Sequence, residues 1–131
     1  MLSWLRTLLS AAPHDTLGDK GENLAARFLR NNGYKIITRN YRSATGEIDI
    51  IARDGKVLVF VEVKTRAADE PTPEAQVNQF KQHQITKAAK QYLSRYGSPP
   101  PPARFDVVAI VWPDNQEPLI RHTINAFEAT F

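Results

Sequence analysis

Two short segments of the sequence carry acidic side chains at spacings that suit metal-assisted chemistry. Glu47 and Asp49 stand in GEIDII (46–51), and Glu62 and Lys64 stand in VFVEVKTR (59–66). Clustered carboxylates repel one another and need a compensating cation, and hard oxygen ligands favour magnesium, manganese or calcium. A lysine beside such a site would orient a water molecule or stabilise charge that develops on a phosphoryl group. These residues therefore define a candidate metal-dependent site.

A β-hairpin is predicted to bring the acids together. Two runs rich in β-forming residues flank Asp54-Gly55, a pair that is typical of a two-residue hairpin turn. With this pair at the tip, Asp49 lies opposite Phe60 and becomes a diagonal neighbour of Glu62, roughly 6–8 Å away at Cβ. Residues two apart on a strand share a face, so Lys64 projects from the same side. A three-residue loop would instead turn Asp49 to the other side of the sheet.

The remaining elements alternate around this hairpin. Helical spacing of apolar residues predicts one helix over residues 15–32 and another over residues 74–96. Runs of β-forming residues predict strands over 35–41, on both sides of the hairpin turn, and over 104–112 and 119–124. The element order is therefore α-β-β-β-α-β-β. A long helix between strands implies a crossover connection, so we expect an α/β fold with a mixed central sheet flanked by helices.

Two helical residues are candidates for the same site. Glu22 lies at the margin of the apolar stripe of the first helix, so it either reaches the rim of the sheet or is a solvated glutamate. Lys81 lies in the middle of the core-facing stripe of the second helix, between Val77 and Ile85. It either extends along apolar surface to the helix end or points into a polar site, where it would bind a phosphate or the acidic cluster. We favour the polar site for Lys81.

The length and composition restrict the class of protein. A chain of 131 residues fits one domain, and we assign residues 1–14 to a tail or short amphipathic helix and residues 15–131 to that domain. The absence of cysteine excludes disulfides, thiolate zinc sites and cysteine nucleophiles, and it suits a cytoplasmic protein. No apolar run is long enough to span a membrane, so no membrane association is expected.

The charge distribution permits a phosphate-rich partner. The net charge is +3, and between residues 30 and 66 eight basic residues surround four acidic ones. Candidate contacts to a nucleic-acid backbone are Arg39, Arg42, Arg66 and Arg104, although each alone also fits an ordinary surface arginine. A purely structural interpretation also stays open, in which Lys64 and Arg66 neutralise the carboxylates in a salt-bridge network.

The spacing from Asp49 across twelve residues to Glu62-Val63-Lys64, on a hairpin after a helix, resembles the PD-(D/E)xK nuclease superfamily, which has the restriction-endonuclease-like fold. A longer set of strings resembles the bacterial YraN family of uncharacterised proteins, which is similar to archaeal Holliday-junction resolvases. The resemblance covers roughly residues 15–125. The strings that carry it are GE (21–22), NYR (40–42), GEIDII (46–51), VFVEVKTR (59–66), Lys81, AA (88–89) and RFDVV (104–108).

The resemblance implies roles for individual residues. Asp49 and Glu62 would be the ligands of a Mg²⁺ or Mn²⁺ cofactor, helped by the backbone carbonyl of Val63. Lys64 would lie beside the attacking water, and Glu22 would complete the acidic pocket. In this sequence Ile48 stands where the superfamily motif has its proline.

The resulting hypothesis is a metal-dependent endonuclease that hydrolyses phosphodiester bonds in nucleic acid. The similarity to resolvases favours DNA over RNA and makes branched DNA a candidate substrate. Because symmetric cleavage needs two active sites, it also suggests a homodimer. One alternative is a nucleic-acid-binding module that keeps the nuclease scaffold without catalysis. Another is an interaction protein that uses the Leu- and Trp-containing segment 1–13.

Overall fold

The computed structural model describes residues 16–130, which form two α-helices and one five-stranded sheet. The assigned tail 1–14 lies outside the described residues. The elements in chain order are α1 (Leu17–Asn31), β1 (Lys35–Ser43), β2 (Gly46–Asp54), β3 (Val57–Arg66), a 3₁₀ turn (Pro73–Gln76), α2 (Gln79–Leu93), β4 (Ala103–Val111) and β5 (Leu119–Phe127). No helix within residues 16–130 has the length and apolar character needed to cross a membrane.

Local side-chain chemistry sets where the helices begin. At α1, the Thr16 hydroxyl accepts from the Asp19 N–H and the Asp19 carboxylate accepts from the Thr16 N–H, each at 3.1 Å, which makes a capping box. The predicted helix 74–96 is wrong at its start. The Asn78 side chain accepts from the Lys81 N–H at 3.0 Å and begins α2 there, because an Asn cap satisfies an amide that the helix cannot. The preceding residues form the separate 3₁₀ turn.

The sheet has the order β1-β2-β3-β4-β5 and is mixed, as expected. Strands β3 and β4 run parallel and are joined by the crossover through α2, while the other neighbours are antiparallel. One apolar cluster lies between the sheet and α1, and a second lies between the sheet and α2. The order α-β-β-β-α-β-β is confirmed, and with the mixed sheet it is the architecture of a restriction-endonuclease-like fold.

The hairpin turn differs from the prediction by one position. Asp54 pairs with Val57, so the two turn residues are Gly55 and Lys56, and Gly55 has a φ of +60°. Two-residue hairpin turns require positive φ at a central position, which glycine adopts without strain, so Gly55 becomes the first turn residue. The predicted pair of Asp49 with Phe60 is therefore wrong, because Phe60 pairs with Ile51. The odd-even relation between the strands survives, since the register moves by two residues.

A kink interrupts β2 at Asp49. Ile48 belongs to the apolar cluster on the α2 side of the sheet, whereas Ile50 belongs to the cluster on the α1 side. A regular strand would place residues two apart on the same face. On the neighbouring strand Asn40 has a φ of +54°, a conformation that asparagine tolerates better than most residues. At this kink the Asp49 carboxylate is directed toward β3, where it accepts from the Val63 N–H.

The opposite end of the sheet carries a buried polar network that is separate from the acidic residues described above. Asp106 is fully buried on β4 and accepts hydrogen bonds from the Arg104 guanidinium (3.0 Å) and the Asn125 N–H (2.9 Å). It also pairs with the His122 ring at 2.8 Å. Arg104 further donates to Asp54 and to the Tyr34 hydroxyl. These contacts give the buried Asp106 carboxylate and the Arg104 guanidinium partners of opposite charge, where an unpaired buried charge would destabilise the fold.

Candidate active site

The candidate site lies at the end of the sheet where the parallel strands β3 and β4 terminate. The N-terminal halves of both helices approach this end. The α1 backbone at Gly21 packs on Thr65 of β3, and the α2 backbone at Gln84 packs on Gly46 at the start of β2. Ligand sites of open α/β sheets commonly form at the carboxyl ends of parallel strands.

Asp49 occupies the centre of the site. Its Oδ2 accepts a hydrogen bond of 2.8 Å from the backbone N–H of Val63, so the side chain bridges β2 and β3 where regular pairing beyond Ile50 and Val61 has ended. The negative charge of Asp49 raises the pKa of both Glu22 and Glu62. The structure therefore brings these three carboxylates into one electrostatic group, with Asp49 between α1 and β3.

Glu62 is the most buried member of this group. Only 5% of the residue is exposed, and its Oε2 lies 3.4 Å from Nζ of Lys81 on α2. Burial, followed by the charge of Asp49, raises the pKa of Glu62 to about 8, although the Lys81 ammonium opposes that rise. Lys81 thus points into the polar site and meets the acidic cluster, one of the two destinations open to it from the sequence.

Glu22 projects from α1 and is held by Arg39. The Glu22 Oε1 accepts from Nε and Nη2 of Arg39 at 3.2 and 3.1 Å, and Asn23 accepts from the same guanidinium at 2.8 Å. Burial and the Asp49 charge raise the pKa of Glu22, while Arg39 works against them. Glu22 therefore reaches the rim of the sheet and is not a solvated helix residue. A pocket of about 370 Å³ opens beside it, lined by Asp19, Glu22, Asn23, Arg39 and Asn40.

Lys64 lies two residues after Glu62 on β3, at the same end of the sheet. Burial, followed by the charge of Arg66, lowers its pKa, whereas Glu62 and Asp49 act in the opposite direction. The ammonium is therefore close enough to both carboxylates to interact with them electrostatically. A lysine in this position can donate hydrogen bonds to an anion held at the site.

The candidate phosphate-binding arginines fall into different environments. Arg42 is exposed and contacts the exposed Glu47 at 3.5 Å. Arg66 donates to the Thr65 carbonyl at 2.8 Å and to the Gln76 side chain of the 3₁₀ turn. Arg104 lies at the opposite end of the sheet, so it is not part of this site. Arg39 and Arg66 thus have intramolecular partners at the site, and Arg42 is the most open of the three that remain there.

The donor set fits a divalent cation that is completed by water. Within residues 16–130, no three His, Asp or Glu side chains are arranged so that they could hold a metal ion among themselves. Two neighbouring carboxylates, Asp49 and Glu62, do face one another, and burial of their charges calls for a compensating cation. Mg²⁺ commonly binds through one or two carboxylates and keeps several waters, so a two-carboxylate site suits its chemistry.

Several residues of the site are missed by sequence reasoning. The predicted role of Arg39 as a phosphate contact did not include its pair with Glu22. Asn23 was not considered, and Asn40 was quoted only within a string that carries the resemblance, without a role at the site. Asn40 carried a usable signal, because an asparagine inside a β-rich run favours a positive φ. The sequence around Arg39 carried no signal for its pair with Glu22, because contact between residues seventeen positions apart depends on how α1 packs on the sheet.

These features define an α/β protein of the restriction-endonuclease-like class, with an acidic site and an adjacent lysine at the end of its parallel strands. The chain belongs to the uncharacterised protein family UPF0102, whose sequence profile matches residues 21–110. This result confirms the resemblance to the YraN family.

Relatives of the chain in several bacteria carry the same family description. A UPF0102 protein of Geotalea uraniireducens is 48% identical over 121 residues, which cover 92% of this chain and 95% of the relative. Another, of Geobacter sulfurreducens, is 52% identical over 116 residues, which cover 88% and 91%. A third, of Symbiobacterium thermophilum, is 54% identical over 95 residues, which cover 72% and 80%. The similarity thus extends over at least 80% of each of these three relatives.

Proposed function

We propose that this protein is a metal-dependent nuclease that hydrolyses phosphodiester bonds in nucleic acid, with DNA as the favoured substrate. The observation that carries the proposal is the position of the Asp49 carboxylate, which is bonded to the Val63 N–H beside the buried Glu62, with Lys64 close by. Carboxylates and a lysine on one strand pair are suited to phosphoryl transfer, whose catalysis consists mainly of positioning and electrostatic stabilisation. The expected place of action is the cytoplasm, where bacterial nucleic acid lies.

Each side chain has a role in this proposal. Asp49 and Glu62 would hold Mg²⁺ or Mn²⁺, together with the backbone carbonyl of Val63. When bound, the cation would supply Lewis-acid polarisation of the phosphoryl oxygen and would make a water molecule more acidic. Lys64 donates hydrogen bonds to the water or to the phosphoryl oxygens as their negative charge grows. Glu22, held in place by Arg39, accepts a hydrogen bond from water on the α1 side.

Cleavage assays with matched variants test the proposal. Purified protein is incubated with Mg²⁺ or Mn²⁺ and with single-stranded, duplex, flapped and four-way DNA, and with the corresponding RNA. We expect Glu62→Gln and Lys64→Met each to reduce cleavage at least a hundredfold, as is typical for the loss of a group that stabilises a transition state. Glu47→Gln is the matched control, because this acid lies on the same hairpin but is exposed and pairs with the exposed Arg42. Equal activity in all three variants would refute the assignment.

The second candidate is a nucleic-acid-binding module without catalysis. The observation that favours it is the Lys81 ammonium, which already supplies a positive charge to the Glu62 carboxylate at 3.4 Å. A binding module of this kind would cleave no substrate with any divalent metal. It would also keep its nucleic-acid affinity in Asp49→Asn, a change that a metal-dependent complex would not tolerate.

A further inference from the structure

Phe80 is exposed at the rim of the candidate active site. With 72% of the residue accessible, it is the most exposed large apolar residue within residues 16–130. Isolated apolar side chains on a surface are ordinary, but this one immediately precedes Lys81, whose Nζ is 3.4 Å from Glu62. The two Cα atoms are about 3.8 Å apart, so the phenyl ring and the ammonium leave α2 from adjacent points.

The direction of Phe80 follows from the geometry of α2. Successive residues of a helix point about 100° apart, so Lys81 can enter the site while Phe80 stays outside it. Residues four apart share a helix face, which places Phe80 one turn before Gln84 on the same side. The backbone of Gln84 lies against Gly46, since a Cβ atom at Gly46 would be only 2.9 Å from the Gln84 carbonyl oxygen. The Phe80 side of α2 therefore borders the β1–β2 turn.

The charges around Phe80 suit a polyanion. The first turn of α2 contains no acidic residue and carries Lys81, although helix N-termini ordinarily favour acids. Near the β1–β2 turn, the side chain of Arg42 is 76% exposed, on the sheet face opposite to that of Tyr41, which packs on the α2 side. Exposed aromatic rings together with exposed cations are a combination by which proteins bind single strands, with the cations on phosphates and the ring on a base.

We propose that Phe80 stacks on an unpaired nucleobase of the bound strand, next to the phosphate that occupies the acidic site. The substrates are then nucleic acids with unpaired bases near the scissile bond, such as single strands, flaps and branch points. This inference rests on the proposed nuclease function and deepens it. A base inside an intact duplex is already stacked on both faces and offers no free face to the ring.

Binding measurements separate the ring from the charges. Fluorescence anisotropy is recorded with a single strand, the same strand carrying abasic sites, and the matching duplex, as DNA and as RNA, first in chelator and then in Ca²⁺. We expect Phe80→Ala to weaken single-strand binding about tenfold, Phe80→Trp to restore it, and neither change to alter binding of the abasic strand. Ile124→Ala is the control, because Ile124 is 57% exposed on β5 away from the site.

The salt dependence provides a second readout. Phe80→Ala should leave the slope of log K against log salt unchanged, whereas Arg42→Gln, at the exposed cation, should lower its magnitude by about 0.7, the value for one phosphate contact on a single strand. Equal affinity of the wild-type protein for the intact and abasic strands in both buffers would overturn the proposal. So would a Phe80→Ala variant that loses self-association while keeping its strand affinity, since the ring would then contact a second copy of the chain.

The cleavage assays keep the two proposals distinguishable. Phe80-dependent binding of bases without cleavage by any metal would refute the nuclease assignment and support the stacking role. If Phe80→Ala and wild type cleave equally well, and both cleave single strands and duplexes equally well, the stacking role is refuted and the nuclease assignment is supported.

Discussion

Replacing Gly21 with alanine should destabilise the protein through one contact between α1 and β3. A Cβ atom at Gly21 would lie 1.8 Å from Oγ1, 2.8 Å from Cβ and 2.9 Å from Cγ2 of Thr65. Rotation of the Thr65 side chain cannot remove this overlap completely, because the Thr65 Cβ stays at 2.8 Å whichever of its substituents faces α1. Helix α1 must therefore shift away from the sheet, together with Glu22.

The expected magnitude is a net loss of about 2–3 kcal/mol. Overpacking of a tight interior typically costs 1–3 kcal/mol, and this overlap belongs at or above the upper end of that range. Alanine stabilises a helix by roughly 0.5–1 kcal/mol relative to glycine, which offsets part of this loss. Gly18→Ala is the matched control on α1, because its nearest neighbour would be the Thr16 hydroxyl at an ordinary 3.6 Å, so this variant should be as stable as the wild type or more so.

Urea unfolding of the two single variants and of Gly21→Ala/Thr65→Ala measures this effect. Thr65→Ala removes the two outer atoms and leaves the 2.8 Å contact, so it should rescue part of the loss. Loss of the hydroxyl in Thr65→Ala should itself lower the free energy of unfolding little, because the buried Thr65 Oγ1 has no hydrogen-bond partner among the described residues. If Gly21→Ala proves as stable as Gly18→Ala, the packing of α1 on β3 described above is wrong.

Three further predictions concern charged residues. In metal-free protein, the raised pKa of Glu62 makes the wild-type folded state lose stability as the pH rises from about 4.5 to 8, so Glu62→Gln should become increasingly stabilising over that range, by up to a few kcal/mol. A difference in unfolding free energy between variant and wild type that stays constant with pH would contradict this. Arg39→Ala should lower kcat about tenfold without changing the salt dependence of nucleic-acid binding, because Arg39 holds Glu22 in place. A smaller salt slope in this variant would instead show that Arg39 contacts a phosphate. Asp106→Ala should lower the free energy of unfolding, measured in urea, by about 3–5 kcal/mol, because it leaves the side chains of Arg104 and His122 without their carboxylate partner. A loss below 1 kcal/mol would contradict this.

The hairpin shows why part of the site was predictable. The acid and lysine spacing depends on strand periodicity, and a two-residue turn at either Asp54-Gly55 or Gly55-Lys56 leaves the odd-even relation of the strands unchanged. Either turn therefore puts Asp49 and Glu62 on the same face of a regular hairpin, as diagonal neighbours with the first and as opposed residues with the second. The Asp49 kink was not predictable, because it depends on Asn40 and on the Val63 N–H across two neighbouring strands.

The sequence by itself determined the order of the elements, the mixed sheet, and the placement of acids and a lysine on adjacent strands. These features follow from local periodicity and turn chemistry, which act over a few residues. The tertiary structure alone decided that Arg39 holds Glu22, that Lys81 reaches Glu62, and that Phe80 remains exposed beside it. Such contacts join residues far apart in the chain, and they exist only once both helices have packed their apolar faces on the sheet.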